Sequence, residues 1–349
     1  MNLPPAGSTE VLIEVTRGPE VESIHRGAVA VSDAQGRIVA FAGDPELPAF
    51  VRSAAKPFQA MSLFESEVME RAGLTDEELA IVISSHSGEP FHLRLVESVQ
   101  RKTGVRADWL QCGVHPPFDP VARREMARAG VSATPMHNNC SGKHTGMLAV
   151  SLAIGGPIES YIDPDHPVQV GNRRRLAMLA GIPADAVGVA IDGCSAPAFR
   201  LPLGRFATAM ARLTAAGAAG AVETAPGLAA CWRAMVDHPD IIAGTRERLD
   251  TPLMSAAREA GLPLVAKAGA EGTYTIGVLT PDGPFGIALK VEDGGERGRN
   301  SVAIEALAQL GLLTESMTAA MRDYHRPRLR NFAGRDVGEL RPRFTLRRR

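Results

Sequence analysis

Cysteine is scarce, with four residues in 349, at positions 112, 140, 194 and 231. No two of them form a Cys-x-x-Cys pair, so neither a disulfide framework nor a ribbon-type zinc module is expected. Net charge is almost nil, at −1, and so nothing steers the chain toward nucleic acid or an anionic membrane. The runs Arg173-Arg174-Arg175 and Arg347-Arg348-Arg349 are local, and read as a solvated face and a frayed tail. No window approaches the roughly 18 apolar residues of a membrane span. The one early apolar run, residues 11–15, lacks the basic start and length of a signal peptide. These absences point to a reducing, cytoplasmic setting, where cysteine means core packing, metal or chemistry rather than cross-linking. Internal repeats and low-complexity segments are also missing.

What is present is an ordinary globular composition, 45% hydrophobic and 22% charged. The β-branched run at residues 11–16 reads as a strand. Residues 27–31 and 37–42 read as strands flanking a turn with Gly36. A helix is expected from Ser53 to about residue 72, with Pro57 in its first turn. Thr75-Asp76-Glu77-Glu78 carries a capping signature for another. Residues 80–85 read as a buried strand or core segment ending in polar residues. From about residue 90 to 261 apolar residues recur at helical spacing, and the Ala/Gly-rich residues 215–221 read as a turn. Residues 263–269, 274–279 and 285–291 read as an antiparallel meander, followed by a helix over 299–312. The expected architecture is α+β in a single catalytic domain, residues 1–349. An antiparallel sheet built from about 8–50 and 262–349 lies beside a mainly helical portion over about 53–261.

Several polar runs have no packing purpose. Met136-His137-Asn138-Asn139-Cys140-Ser141-Gly142-Lys143-His144-Thr145-Gly146-Met147 gathers a thiol, an amine, two carboxamides and two imidazoles. Ser53-Ala54-Ala55-Lys56 spans nearly one helical turn, which sets hydroxyl and amine on one face. There a neutral Lys takes the proton of an attacking Ser. The same four residues also suit a helix cap followed by a solvated Lys. Lys267-Ala268-Gly269 lies on an expected strand and matches the Lys-x-Gly strand facing the Ser-x-x-Lys helix in penicillin-recognising enzymes. An edge-strand Lys is the competing reading. Ser84-Ser85-His86-Ser87-Gly88-Glu89 offers a second hydroxyl cluster or a polar turn. Cys140 and Cys194 suit zinc by softness, with Lys143, His137 and His144 as further donors. Two buried free thiols fit the spacing as well.

Taken in order, the runs Arg-Ser-Ala-Ala-Lys-Pro-Phe-Gln, Ser-Ser-His-Ser-Gly-Glu-Pro, Asn-Asn-Cys-Ser-Gly-Lys-His-Thr-Gly-Met, Asp-Gly-Cys-Ser-Ala-Pro and Lys-Ala-Gly-Ala-Glu-Gly resemble the rhizobial-type L-asparaginases. The resemblance spans about residues 11–342 and includes His166-Pro167-Val168-Gln169 and Leu329-Arg330-Asn331. It implies a fold similar to serine β-lactamases and glutaminases, and hydrolysis of L-asparagine to L-aspartate and ammonia. By motif it implies two Ser–Lys pairs, Ser53 with Lys56 and Ser85 with Lys267. It further implies a zinc held by Cys140, Lys143 and Cys194, a pocket lined by Arg52, Asn139, His144, Asp192, Glu271 and Gly272, and a homodimer.

On that resemblance Ser53 attacks the carboxamide and Lys56 takes its proton. Backbone N–H groups of Ser53 and near Ala270 hold the oxyanion, at roughly 3 kcal/mol per donor. Asp192 and Glu271 suit the substrate ammonium and Arg52 its carboxylate. The assignment with Ser85 as nucleophile stays open. So do two other functions, a different serine acyl-enzyme of glutaminase or β-lactamase type and a non-catalytic amino-acid sensor.

Overall fold

The computed structural model describes residues 7–218 and 225–349. The chain enters through strands β1 (Glu10–Arg17), β2 (Glu20–Asp33), β3 (Ile38–Ala42) and β4 (Pro48–Phe50). A long helical stretch follows, interrupted by β5 (Gly188–Ile191) and β6 (Pro197–Pro202). It closes with β7 (Leu264–Ala268), β8 (Thr273–Thr280), β9 (Gly283–Val291), β10 (Arg328–Arg330), β11 (Asp336–Pro342) and β12 (Arg347–Arg348).

Strand β2 organises the main sheet because its sequence changes character midway. Residues 20–24 are exposed and residues 27–33 are buried. The first half pairs with β1, while the second pairs with β9 on one side and β3 on the other, all antiparallel. The sheet runs β10-β11-β1-β2-β9-β8-β7, with β3 and β12 branching from β2. The α+β expectation, with terminal strands sharing one antiparallel sheet, is therefore met. Helix Leu203–Ala215 lies across β9 and β2. Gly286 permits the approach, since a Cβ there would sit 2.0 Å from the Ala207 carbonyl oxygen. Phe206 on that helix meets Phe58 edge-on at 5.9 Å, which ties the Ser-x-x-Lys segment to the sheet layer.

Three expectations are corrected. The helix read from Ser53 to residue 72 is broken into a 3₁₀ turn, Arg52–Ala55, and short helices Lys56–Ala60, Ser62–Glu65 and Val68–Arg71. Its serines explain this. Ser62 Oγ donates to the Gln59 carbonyl at 2.8 Å and Ser66 Oγ to the Ser62 carbonyl at 2.7 Å, competing with the helical ladder. Of residues 80–85, the apolar part is helix, within Asp76–Ile83, capped by Thr75 as expected. A segment buried all round carries no period to separate strand from helix. A second, three-stranded sheet, β4-β6-β5, was unforeseen, and two of its strands lie within the helical portion. Of the turn read at residues 215–221, positions 219–221 lie outside the described residues.

Candidate active site

Two glycines of the Asn-Asn-Cys-Ser-Gly-Lys-His run build the site by packing. Helix Ser141–Ala153 presses on helix Asp76–Ile83. A Cβ at Gly142 would lie 2.2 Å from the Ile81 carbonyl oxygen, and one at Gly146 2.6 Å from Val82 Cγ1. This contact sets the end of helix Asp76–Ile83, with Ser84 and Ser85, beside Cys140 and Lys143. His86 fastens the two segments. The Gly88 N–H donates to its Nδ1 at 3.1 Å, so the proton sits on Nε2 and is donated to Ser141 Oγ at 2.8 Å. Burial holds His86 well below its ordinary pKa, which keeps it neutral.

Ser85 Oγ lies between two lysines. Lys56 Nζ donates to it at 2.8 Å and Lys267 Nζ at 2.9 Å. Lys56 also donates to the Ser84 carbonyl at 2.6 Å, and Lys267 to the Ala268 carbonyl at 3.3 Å. Ser85, Lys56 and Lys267 are all buried, and burial lowers the pKa of both amines, of Lys267 far below its ordinary value. A buried lysine with depressed pKa is the state a general base requires. Ser53 sits half-buried at the mouth; its carbonyl accepts from the Lys56 N–H, but its side chain makes no hydrogen bond to Lys56 Nζ among the described residues. Lys56 turns instead to Ser85, so the second hydroxyl joins both amines. Ser53 and Ser85 share a cavity of about 360 Å³ with Asn139 and Gly269.

The remaining candidates surround this centre unevenly. Arg52 Nη2 binds Asp192 Oδ1 at 2.7 Å. Burial pushes the Asp192 carboxyl up, but Arg52, Lys143 and the Gly193 N–H outweigh it and hold the group below the usual range. Asn139 accepts from Lys56 through its carbonyl at 3.4 Å and lines the cavity. Arg52, Asp192, Glu271, Gly272 and His144 do not line it. Glu271 is exposed, and its carbonyl accepts from Lys290 Nζ. Gly272 is buried under Val291, with φ +69. His144 is fully buried, its Nδ1 2.7 Å from the Tyr161 hydroxyl and its Nε2 without a partner among the described residues. Backbone strain gathers here. Arg52, Ser195, Glu247 and Glu271 are four of the five non-glycine residues with positive φ among the described residues.

Cys140, Lys143 and Cys194 converge, all buried, with Lys143 Nζ 3.0 Å from Cys194 Sγ. The Cys140 thiol donates to Cys194, and with Lys143 this lowers the Cys194 pKa to about 4 despite burial. The same bond and burial push Cys140 up to about 12. Burial alone would lower Lys143, but the two sulfurs raise it above its ordinary value. The trio thus holds an ammonium–thiolate pair and one thiol. Of the two histidine donors, His137 turns back to accept from the Thr134 N–H at 3.1 Å, and His144 Nδ1 is paired with the Tyr161 hydroxyl. No group of three or more His, Cys, Asp or Glu suited to a metal gathers among the described residues, so a metal here would depend on the amine.

Sequence reasoning missed the far wall, made by Arg246, Glu247, Arg248, Glu296 and Arg299. Arg246 binds Asp119 at 3.0 Å and Glu89 at 3.4 Å. Arg299 binds Glu296 at 3.0 Å and the Gly269 carbonyl at 3.3 Å. Behind Lys267, the fully buried Asp250 accepts the Ala268 N–H at 2.6 Å. The charged stretch Thr245-Arg246-Glu247-Arg248 was the available signal, but alone it reads as a solvated loop.

Residues 13–342 match the model of a family described as L-asparaginase II, and the chain belongs to that family. Among curated proteins none matches. Among solved structures, Mglu in its native form in the presence of 4.3M NaCl is similar at 15% identity, over 82% of this chain and 60% of that one, with a TM-score of 0.41. A Bacillus glutaminase in the presence of 4.3M NaCl is similar at 12% identity, over 82% and 91% of the two chains, with a TM-score of 0.37. The chain thus spans about 60% of the length of the first of these.

Proposed function

We propose that this protein is an amidohydrolase that cleaves the side-chain carboxamide of L-asparagine, giving L-aspartate and ammonia. The single observation that carries the reading is the Ser85 hydroxyl held at 2.8 and 2.9 Å by two buried lysines, beneath a cavity that also opens on Ser53. Membership of the L-asparaginase II family supports amide hydrolysis.

Ser53 is the attacking group, because it is half-buried at the cavity whereas Ser85 is 2% exposed. Its Oγ bonds to the carboxamide carbon and its proton passes to Lys56. Negative charge grows on the carbonyl oxygen, and the Ala270 N–H, with no other partner among the described residues, is available to it. The C–N bond breaks as Ser85 hands a proton to the leaving nitrogen and regains one from a lysine. Water then attacks the acyl group, aspartate departs and Ser53 recovers its proton. The rival assignment, with Ser85 attacking, draws on its contact with both amines.

The donor set of Cys140, Cys194 and Lys143 fits zinc, since two sulfurs and a nitrogen converge in a buried site, Lys143 Nζ lying 3.0 Å from Cys194 Sγ, and binding would release the Cys140 and Lys143 protons. Bound there, the metal would supply a fixed positive charge that orders this wall and the Arg52–Asp192 pair. A homodimer in a reducing compartment is the expected form, and light scattering on purified protein tests it. The described residues include no helix long and apolar enough to cross a membrane.

Ammonia release from L-asparagine by purified protein tests the activity. Mass mapping of a trapped acyl-enzyme tests the nucleophile, with Ser53 expected to carry the adduct. Absence of ammonia at every zinc level, with acylation by penicillin or nitrocefin instead, would move the protein to another class of serine acyl-enzyme. Amino-acid binding without turnover of any amide would make it a sensor.

A further inference from the structure

Four arginines stand in or beside the cavity, and their commitments differ. Arg52 is held by Asp192 at 2.7 Å. Arg246 is shared by two carboxylates, Asp119 and Glu89. Arg299 is neutralised by Glu296 at 3.0 Å and further occupied by the Gly269 carbonyl. Among the described residues Arg248 alone of the four lacks a carboxylate within hydrogen-bond reach. Its nearest acid is Asp250, 4.0 Å away, and Asp250 Oδ2 has no hydrogen-bond partner among the described residues. The one bond that Arg248 makes among the described residues runs from Nη1 to the Ser85 carbonyl at 3.2 Å. A guanidinium has five N–H donors, so four remain. The group is 19% exposed and lines the cavity.

We propose that Arg248 is the anchor for the substrate's α-carboxylate, and so a specificity-determining residue for small amino-acid amides. This deepens the reading of the site given above and rests on it. A planar fork with free donors, partly shielded from water, is the group best matched to a carboxylate. Its position adds a length limit. Arg248 holds the backbone carbonyl of the same residue whose hydroxyl lies between the two lysines. An anchor so near the reacting centre suits a substrate whose carboxylate and amide are a few bonds apart. Arg52 already commits Nε and Nη2 to a half-buried ion pair with Asp192, which leaves it less free for the same work.

The test compares L-asparagine with 3-aminopropanamide, which is asparagine without its α-carboxylate, alongside calorimetric affinity for L-aspartate. For the natural protein, removing the carboxylate is expected to lower kcat/KM about 100-fold. Arg248→Gln should lose about that factor on asparagine, mostly through KM, and should then treat the two amides within a few-fold of each other. Arg248→Lys should recover part of the discrimination. Aspartate affinity should fall in parallel, with the thermal midpoint of Arg248→Gln confirming that it folds. If Arg248→Gln keeps the full preference for asparagine, the assignment is overturned. If Arg52→Gln abolishes that preference instead, the anchor is Arg52. A natural protein that binds aspartate but releases no ammonia would refute the proposed activity, and the aspartate affinities would still decide the role of Arg248.

Discussion

Lys56 and Lys267 reach the same oxygen from different elements, one from the start of helix Lys56–Ala60 and the other from β7. Burial lowers both pKa values, and the like charge of Lys56 lowers that of Lys267 further. A lysine depressed in the folded protein binds fewer protons there than in the unfolded chain, so its contribution to stability falls as pH drops through the ordinary lysine range. Lys267→Met should therefore reduce kcat about 100-fold or more, yet raise resistance to urea at neutral pH. A variant that loses both activity and stability would mean that Lys267 is held as a charged structural group.

Gly142 is the tightest contact in the signature run. Alanine there would place its Cβ 2.2 Å from the Ile81 carbonyl oxygen, and backbone rather than side chain must move. Gly142→Ala should cost about 1–3 kcal/mol in urea unfolding. It should also lower kcat, because the same contact positions the end of helix Asp76–Ile83, from which Ser85 reaches Lys56 and Lys267. Gly193→Ala is the control, since among the described residues nothing beyond its chain neighbours lies within 4 Å of its Cβ position.

These two sites mark what could and could not be read beforehand. The strands at both ends were legible because short β-branched runs between Gly and Pro turns have a local signature, as in β1 and β9. Thr75 was legible because its capping box involves only four consecutive residues. Lys56 and Ser85 could be named from motifs, but their partnership across 29 positions could not. Motif spacing suggested Ser53 for Lys56, and only the approach of helix Asp76–Ile83 brings Ser85 nearer. Gly142 and Gly146 read as part of a chemical motif, whereas they are packing residues that make room for another helix. Arg248 belongs to a charged stretch that reads as a solvated loop, and Asp250 has no pattern, since a loop's charges acquire meaning only from what the fold sets opposite them.

Cys194 is expected to be a thiolate in metal-free protein over most of the pH range. Its pKa lies near 4, through the Cys140 thiol and Lys143, so thiolate ultraviolet absorbance should persist on acidification to about pH 4 and vanish below it. Cys140→Ala removes the donated bond and should move that transition upward. The same variant, and Cys194→Ala, should lower zinc content measured by elemental analysis to background. Unchanged metal content in either would place the metal elsewhere.

Asp250 offers the sharpest separation of charge from structure. Its Oδ1 holds the Ala268 N–H at 2.6 Å, next in sequence to Lys267, and its negative charge opposes the burial that depresses Lys267. Lys267 is also faced by Lys56 and Arg248, which depress it further, and by Cys140, which raises it. Asp250→Asn keeps an oxygen for the Ala268 N–H and removes only the charge. The Lys267 pKa should then fall further, and the acid limb of the kcat/KM profile, set by the loss of neutral amine, should move to lower pH. Asp250→Ala should make the same move and also cost about 1–3 kcal/mol, because the buried N–H is left unpaired. An acid limb that stays fixed in Asp250→Asn would show that Lys267 is not the group whose protonation stops the reaction. Lys56, the other amine on Ser85, would then be the base to test by the same profile.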